Sequence, residues 1–312
     1  MIIANPIYDV VFKYLLEDMD IARGLFSTII GEDVIDLTVQ PQEVAIQKIQ
    51  ATEIIRILRL DFKATIRTKT GETKMILVEL QKARKLFDIM RFRTYLGENY
   101  KKGEDVVNDK GETETNPLPI ITIYFLGFKL ENITVAAVKV DRTYRDADTG
   151  EPLSPNVKEP FIENLTHDSY VIQIPFLGDV VKTQMQKVLR VFNQKFKKKE
   201  DRRRLDFSEN TDSPLVQKML DRLNRAITSE AILAEMNAED EVEKAFGRIE
   251  RQLELSRQEA KRNKEEAEKN KEEAEKNKEE AEKNKEEAEE KDRQLEILRR
   301  EFEALKKSIN RS

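Results

Sequence analysis

A seven-residue repeat near the C-terminus constrains the fold of this chain more than any other feature. The unit Asn263-Lys264-Glu265-Glu266-Ala267-Glu268-Lys269 recurs from Asn270 and from Asn277, and a fourth copy from Asn284 ends in Glu290 in place of lysine. A strict seven-residue period free of glycine and proline specifies a long helix. With Ala267, Ala274 and Ala281 at heptad position a, Asn270, Asn277 and Asn284 fall at d. The same frame sets Phe246, Leu253, Leu295, Phe302 and Ile309 at a, and Val242, Ile249, Leu298 and Leu305 at d. One phase therefore runs from Val242 to Ile309, roughly 100 Å of helix at about 1.5 Å per residue. A domain about 40 Å across cannot bury such a length, so the helix either pairs with another or stays solvated.

Both outcomes have physical support. Alanine buries little and repeated asparagine at d is costly, while i,i+4 pairs such as Glu265 with Lys269, each worth about 0.2–0.5 kcal/mol, would hold a lone solvated helix. In favour of pairing, position g is glutamate (Glu266, Glu273) and position e is lysine (Lys271, Lys278). A parallel, in-register pair sets these opposite charges together, whereas an antiparallel pair sets like against like. The apolar positions at both ends favour a parallel homodimer through residues 242–309, with the Ala/Asn repeats as a loosely joined spacer.

The repeat also accounts for the composition. Charged residues make up 37% and hydrophobic residues 39%, too polar for one compact domain, and the excess charge lies mostly after residue 240. The absence of cysteine excludes a disulfide scaffold and a thiolate metal site. No basic leader opens the chain, and no run approaches the ~20 apolar residues of a membrane span. A cytoplasmic protein with no membrane partner is expected. The net charge of −5 leaves nucleic-acid contact to local patches. Lys82, Arg84, Lys85, Arg91 and Arg93 form one such patch, and the run from Lys195 to Arg204 forms another.

Upstream of the repeat the pattern is mixed. Helices are predicted from Pro6, over Ile21–Ile30 ending at Gly31, and over Lys85–Lys102 ending at Gly103. Extended segments are predicted over Asp36–Ile46, Pro119–Leu126 and parts of 133–176, with Glu104–Asn116 a loop. From Asp179 the pattern is helical, broken near Ser208 to Pro214. Between the second and third helices, Ile57–Ala64 and Met75–Leu80 are apolar and β-prone, and Thr70-Gly71-Glu72-Thr73 supplies the turn of a hairpin. Opposed strands bring Asp61 near Glu79, and a spacing of two puts Glu79 and Gln81 on one face. Aspartate and glutamate inside apolar strands need a partner or a metal. Two converging carboxylates with a polar neighbour suit Mg²⁺ and phosphodiester hydrolysis.

These residues resemble the PD-(D/E)XK nuclease superfamily, in which an aspartate on one strand and a (D/E)-X-K on the next carry catalysis. The closer resemblance is to the Rpn-like recombination-promoting nucleases, often labelled transposases, which carry E-X-Q and open with a D-x-x-F-K helix. Here that opening reads Asp9-Val10-Val11-Phe12-Lys13, and Glu79-Leu80-Gln81 supplies E-X-Q. Arg91 and Tyr95 lie one turn apart on the helix that follows. The resemblance covers about residues 5–130.

It implies an α/β, restriction-endonuclease-like core over residues 1–180, a helical connector over 181–240 and a coiled-coil extension over 241–312. It implies a Mg²⁺-dependent DNA endonuclease in which Asp61, Glu79 and the Leu80 carbonyl hold the metal and Gln81 orients the nucleophile. Asp9 borders the site as a further ligand, and Lys13, Lys82 and Arg91 contact DNA. Gln81 cannot supply the positive charge of the superfamily's usual lysine. Alternation is read as sending Lys63 and Lys82 to the faces opposite Asp61 and Gln81. A nuclease-fold scaffold without catalysis, binding DNA or protein, is the competing class. His167, the sole histidine, falls in a turn-like stretch without the second ligand a metal site needs.

Overall fold

A computed structural model of the protein describes residues 1–39, 45–48, 55–58, 62–82, 88–107, 110–154, 157–178, 181–209 and 211–309. It is a mixed α/β structure that divides into two units, 1–240 and 241–312.

In the first unit, strand β1 (Ile2–Ala4) leads to helices α1 (Asp9–Leu16) and α2 (Met19–Ile30). Asp18 caps α2 by accepting the amides of Asp20 at 3.1 Å and Ile21 at 3.2 Å. Gly31 ends the helix at φ +80°, a left-handed position that costs glycine nothing. Strands β2 (Val34–Val39), β3 (Ala45–Lys48), β4 (Ile55–Leu58), β5 (Phe62–Thr68) and β6 (Thr73–Gln81) follow, then helix α3 (Asp88–Tyr100). Next come β7 (Gly103–Val107), β8 (Thr113–Pro117), β9 (Ile120–Leu126), β10 (Ala137–Val140), α4 (Pro160–Leu165) and β11 (His167–Gln173). Helix α5 (Gln184–Leu189), strand β12 (Arg204–Asp206), α6 (Pro214–Ala226) and α7 (Glu230–Ile309) complete the chain.

One six-stranded sheet organises this unit, in the order β10-β11-β9-β6-β5-β2. The three central strands β11, β9 and β6 run parallel, while β5, β2 and β10 add antiparallel edges. A parallel pair needs a crossover, and α3 lies in the connection from β6 to β9. Alternation divides β6 cleanly between two faces. Ile76, Val78 and Leu80 join Phe62, Ala64 and Ile66 in the main core with α1, α2 and α6. Met75 and Leu77 turn the other way and pack with Phe92, Tyr95 and Leu96 of α3 and with Ile120.

Several elements differ from the sequence reading. Of the strand expected over Ile57–Ala64, Ile57 and Leu58 belong to β4, which pairs with β3, and Phe62 to Ala64 belong to β5, the partner of β6; residues 59–61 lie outside the described residues. The loop expected over Glu104–Asn116 holds the hairpin β7–β8, despite its polar sequence. The helical stretch after residue 180 contains β12, which pairs with β1, from Ile2 opposite Asp206 to Ala4 opposite Arg204. Residues 181–240, read as a connector, contribute Val188, Phe192, Leu205, Met219, Leu223 and Met236 to the main core. These are non-local contacts that a window of neighbouring residues does not carry. His167 is the first residue of β11 rather than part of a turn, and its Nδ1 lies 2.6 Å from the Tyr100 hydroxyl.

The second unit is helical as far as Ile309. Its described side chains are mostly solvent-facing, and Val242, Ile249, Leu253, Leu295 and Leu298 are each between 42% and 62% exposed. The side chains of Phe246, Phe302, Leu305 and Ile309 lie outside those described. Lys261 approaches Glu265, and Lys264 approaches Glu268, each at 4.0 Å. No helix among the described residues is long and apolar enough to cross a membrane.

Candidate active site

Glu79 lies in the second half of β6, opposite Tyr124 of the neighbouring β9, and is only 2% exposed. It is flanked in sequence by Val78 and Leu80, whose side chains enter the main core, so alternation turns Glu79 to the α3 side. Gln81, two residues on, takes that same side and pairs with Leu126. A carboxylate this deep in a strand is costly unless the site gives it a charge partner or a metal. The Tyr124 phenol senses it: burial first, and then the Glu79 charge, push the Tyr124 pKa far above its ordinary value. The Tyr124 ring in turn packs against Phe92 of α3 at 4.4 Å. Tyr95 is 4% exposed and sits in the α3-side cluster with Met75 and Leu77.

Asp61 lies outside the described residues, as does the Arg91 side chain. Phe62, which follows Asp61 in sequence, pairs with Val78, which precedes Glu79. Lys63 pairs with Leu77. Since Leu77 belongs to the α3-side cluster, Lys63 shares the face of Glu79 and not the opposite one. This corrects the alternation read from sequence, because residues 61 and 63 are two apart and two is the period of a strand. Lys63 is 7% exposed.

A second charged cluster forms on the α1 side. Lys82 alternates away from Gln81, and its ammonium lies 2.7 Å from Glu239 and 3.3 Å from the centre of the Tyr8 ring. Glu239 Oε2 also accepts the Asp9 amide at 3.1 Å, which places a carboxylate at the N-terminus of α1. The Asp9 carboxylate binds Lys13 Nζ at 2.7 Å. The Tyr8 hydroxyl donates to Asp240 at 2.7 Å, and Arg202 closes on Asp240 at 2.8 Å. Burial raises the Glu239 pKa, Lys82 opposes that rise, and the Asp9 charge adds to it. Asp9, Lys13 and Lys82 are thus brought together with each other and with Glu239. Glu79 and Gln81 are brought together with Tyr124 on the other face. Glu239 carried no sequence signal, because it lies in a helix distant in sequence and only tertiary packing brings it to Lys82.

The end of β6 is fixed by backbone contact. The Gly127 amide donates to the Gln81 carbonyl at 2.7 Å. A Cβ at Gly127 would fall 2.3 Å from the Lys82 carbonyl oxygen and 3.0 Å from Ile7 Cδ1, so only glycine fits. No family model, curated protein or solved structure matches the chain.

Proposed function

We propose that the protein is a Mg²⁺-dependent DNA endonuclease with a PD-(D/E)XK-type core of the Rpn-like kind. The observation that carries this reading is Glu79, a carboxylate 2% exposed on a central strand, sharing its face with Gln81. The order helix α1, strands β2, β5 and β6, helix α3, strand β9 is the one such a core needs. Asp61, beside Phe62 in sequence, is the second carboxylate of the proposal. The donor set fits a hard divalent cation, since Glu79, the Leu80 carbonyl, the Gln81 amide and Asp61 all offer oxygen. A bound Mg²⁺ would lower the pKa of water and offset charge on the phosphate. In this reading Glu79 and Asp61 hold the cation, and Gln81 orients the attacking water by hydrogen bonding. Lys13, Lys82 and Arg91 are the proposed DNA contacts, with Asp9 at the edge. Lys13 and Lys82 reach DNA only by exchanging their present partners, Asp9 and Glu239.

Plasmid nicking in Mg²⁺ tests the assignment. Wild type is expected to nick supercoiled DNA, and Asp61→Ala and Glu79→Ala are each expected to slow it by about 1,000-fold, the scale of losing one main electrostatic contact. Cutting that survives both substitutions leaves the fold as a binding scaffold.

The exposed apolar positions at the two ends of the 242–309 helix, with glutamate at g and lysine at e between them, support a parallel homodimer of this chain. Two nuclease sites in one assembly would address both strands of a duplex. Sedimentation of the full chain against one ending at Asp240 tests the assembly. A full chain that sediments as a monomer at micromolar concentration identifies α7 as a solvated single helix.

A further inference from the structure

Lysine is among the residues least often buried, because its ammonium loses hydration that only a partner charge restores. Lys63 is nevertheless 7% exposed, inside a strand whose next residue, Ala64, is fully buried. Its cross-strand partner is Leu77, and Glu79 is the next residue along that face of β6. Diagonal neighbours of this kind have Cα atoms about 7–8 Å apart and Cβ atoms somewhat closer, which the four-carbon lysine stem spans. Among the described residues, the other cations near the end of β6 have partners on the α1 side: Lys13 with Asp9, and Lys82 with Glu239 and the Tyr8 ring. Arg67 shares the parity of Lys63 but stands opposite Thr73, near the far end of β6, and approaches Asp36 at 3.5 Å.

We propose that Lys63 is the cationic catalytic residue of the nuclease site, the group that meets the charge developing on the phosphate beside Glu79. The inference rests on the nuclease reading above and deepens it. In the hydrolysis, the oxygen of water bonds to phosphorus and the phosphorus–oxygen bond to the leaving deoxyribose breaks. The proton released by the water is balanced by the one taken up by the leaving oxygen, giving a phosphomonoester and an alcohol. Phosphoryl transfer is accelerated by fixed positive charge at the equatorial oxygens, and Gln81 carries none. Lys63 supplies that charge from the adjacent strand, on the side of the sheet where Glu79 and Gln81 stand.

The test is a relocation of the lysine. Lys63→Met keeps the length of the side chain and removes the charge, and it is expected to slow nicking at saturating Mg²⁺ by at least about 100-fold. Lys63→Arg is expected to stay within about tenfold of wild type. The double variant K63M/Q81K, which returns a lysine to the same face, is expected to regain at least about tenfold over K63M. A purely structural lysine would not be replaced by one at position 81, so this rescue separates the two roles. If K63M melts below the assay temperature, K63Q takes its place in both arms. A Lys63→Met variant that cuts like wild type, or a loss that Lys63→Arg shares and Gln81→Lys does not rescue, overturns the role of Lys63 and leaves the nuclease assignment standing. A wild-type protein that does not cut overturns both.

Discussion

The two faces of β6 solve opposite problems with similar residues. On the α1 side, the described charges near the strand end have near partners: Lys82 with Glu239, Lys13 with Asp9, and Asp240 with Tyr8 and Arg202. Beneath them lies the larger core, with Phe12 edge-on to Phe125 at 5.2 Å. The α3 side has a smaller apolar cluster and places Glu79, Lys63 and Gln81 on one strip of sheet. A folded surface that closes its charges internally gains stability, and its cations reach a ligand only by exchanging those partners. The α3 side sets its buried polar groups beside a smaller core, and it is the face on which the proposed site lies. The contrast sets two different charge environments on the two faces of one strand.

The largest expected effect breaks the α1 side. Phe12→Ala removes a fully buried ring from the main core and is expected to cost about 3–5 kcal/mol in urea unfolding. Phe92→Ala, in the smaller cluster, is expected to cost less, and equal costs would erase the contrast.

The sharper comparison pairs two glutamates. Glu239→Ala leaves Lys82 half-buried without its carboxylate and the Asp9 amide without its acceptor, an expected loss of about 2 kcal/mol. Its nicking rate should stay within about threefold of wild type. Glu79→Ala is expected to abolish nicking, and its unfolding midpoint should fall as well, since the substitution leaves Lys63 buried without that carboxylate on its face. Loss of nicking in Glu239→Ala would merge the two clusters into one site.

Gly127→Ala tests whether the strand end is fixed by backbone contact. The added methyl meets the Lys82 carbonyl, and a cost of about 1–3 kcal/mol is expected from thermal unfolding.

The smallest effect lies at the cap of α2, where Asp18 meets Lys218. Burial raises the Asp18 pKa, but Lys218 at 2.9 Å and the amides of Ile21 and Asp20 lower it further, and the net value lies below the ordinary carboxylate range. A depressed folded pKa adds stability that is complete above the unfolded value of about 3.9 and is lost as pH falls through the folded one. Asp18→Ala is expected to cost about 1 kcal/mol at neutral pH. That deficit should shrink on acidification below about pH 4, read as the difference between wild-type and variant unfolding curves. A deficit independent of pH would assign the whole effect to helix propensity.

What the sequence determined by itself was everything with a local period. The heptad phase from Val242 to Ile309 required one long helix, and the helix is there. Gly31 ended α2 because a left-handed residue was needed, and the Ile120–Leu126 run formed a strand because β-branched residues fill a face buried on both sides. The spacing of Glu79 and Gln81 assigned them a common face before any strand partner was known.

What only the tertiary structure decided was non-local. That β12 returns to pair with β1, that residues 181–240 complete the main core, and that Glu239 reaches Lys82 are contacts between residues far apart in the chain. No window of neighbours encodes them. Lys63 stands between the two cases. Its parity with residue 61 was legible as a period of two, but its burial and its place diagonal to Glu79 follow from the register of β5 on β6. A register is set by which apolar faces the whole sheet must bury, and that is a property of the assembled core.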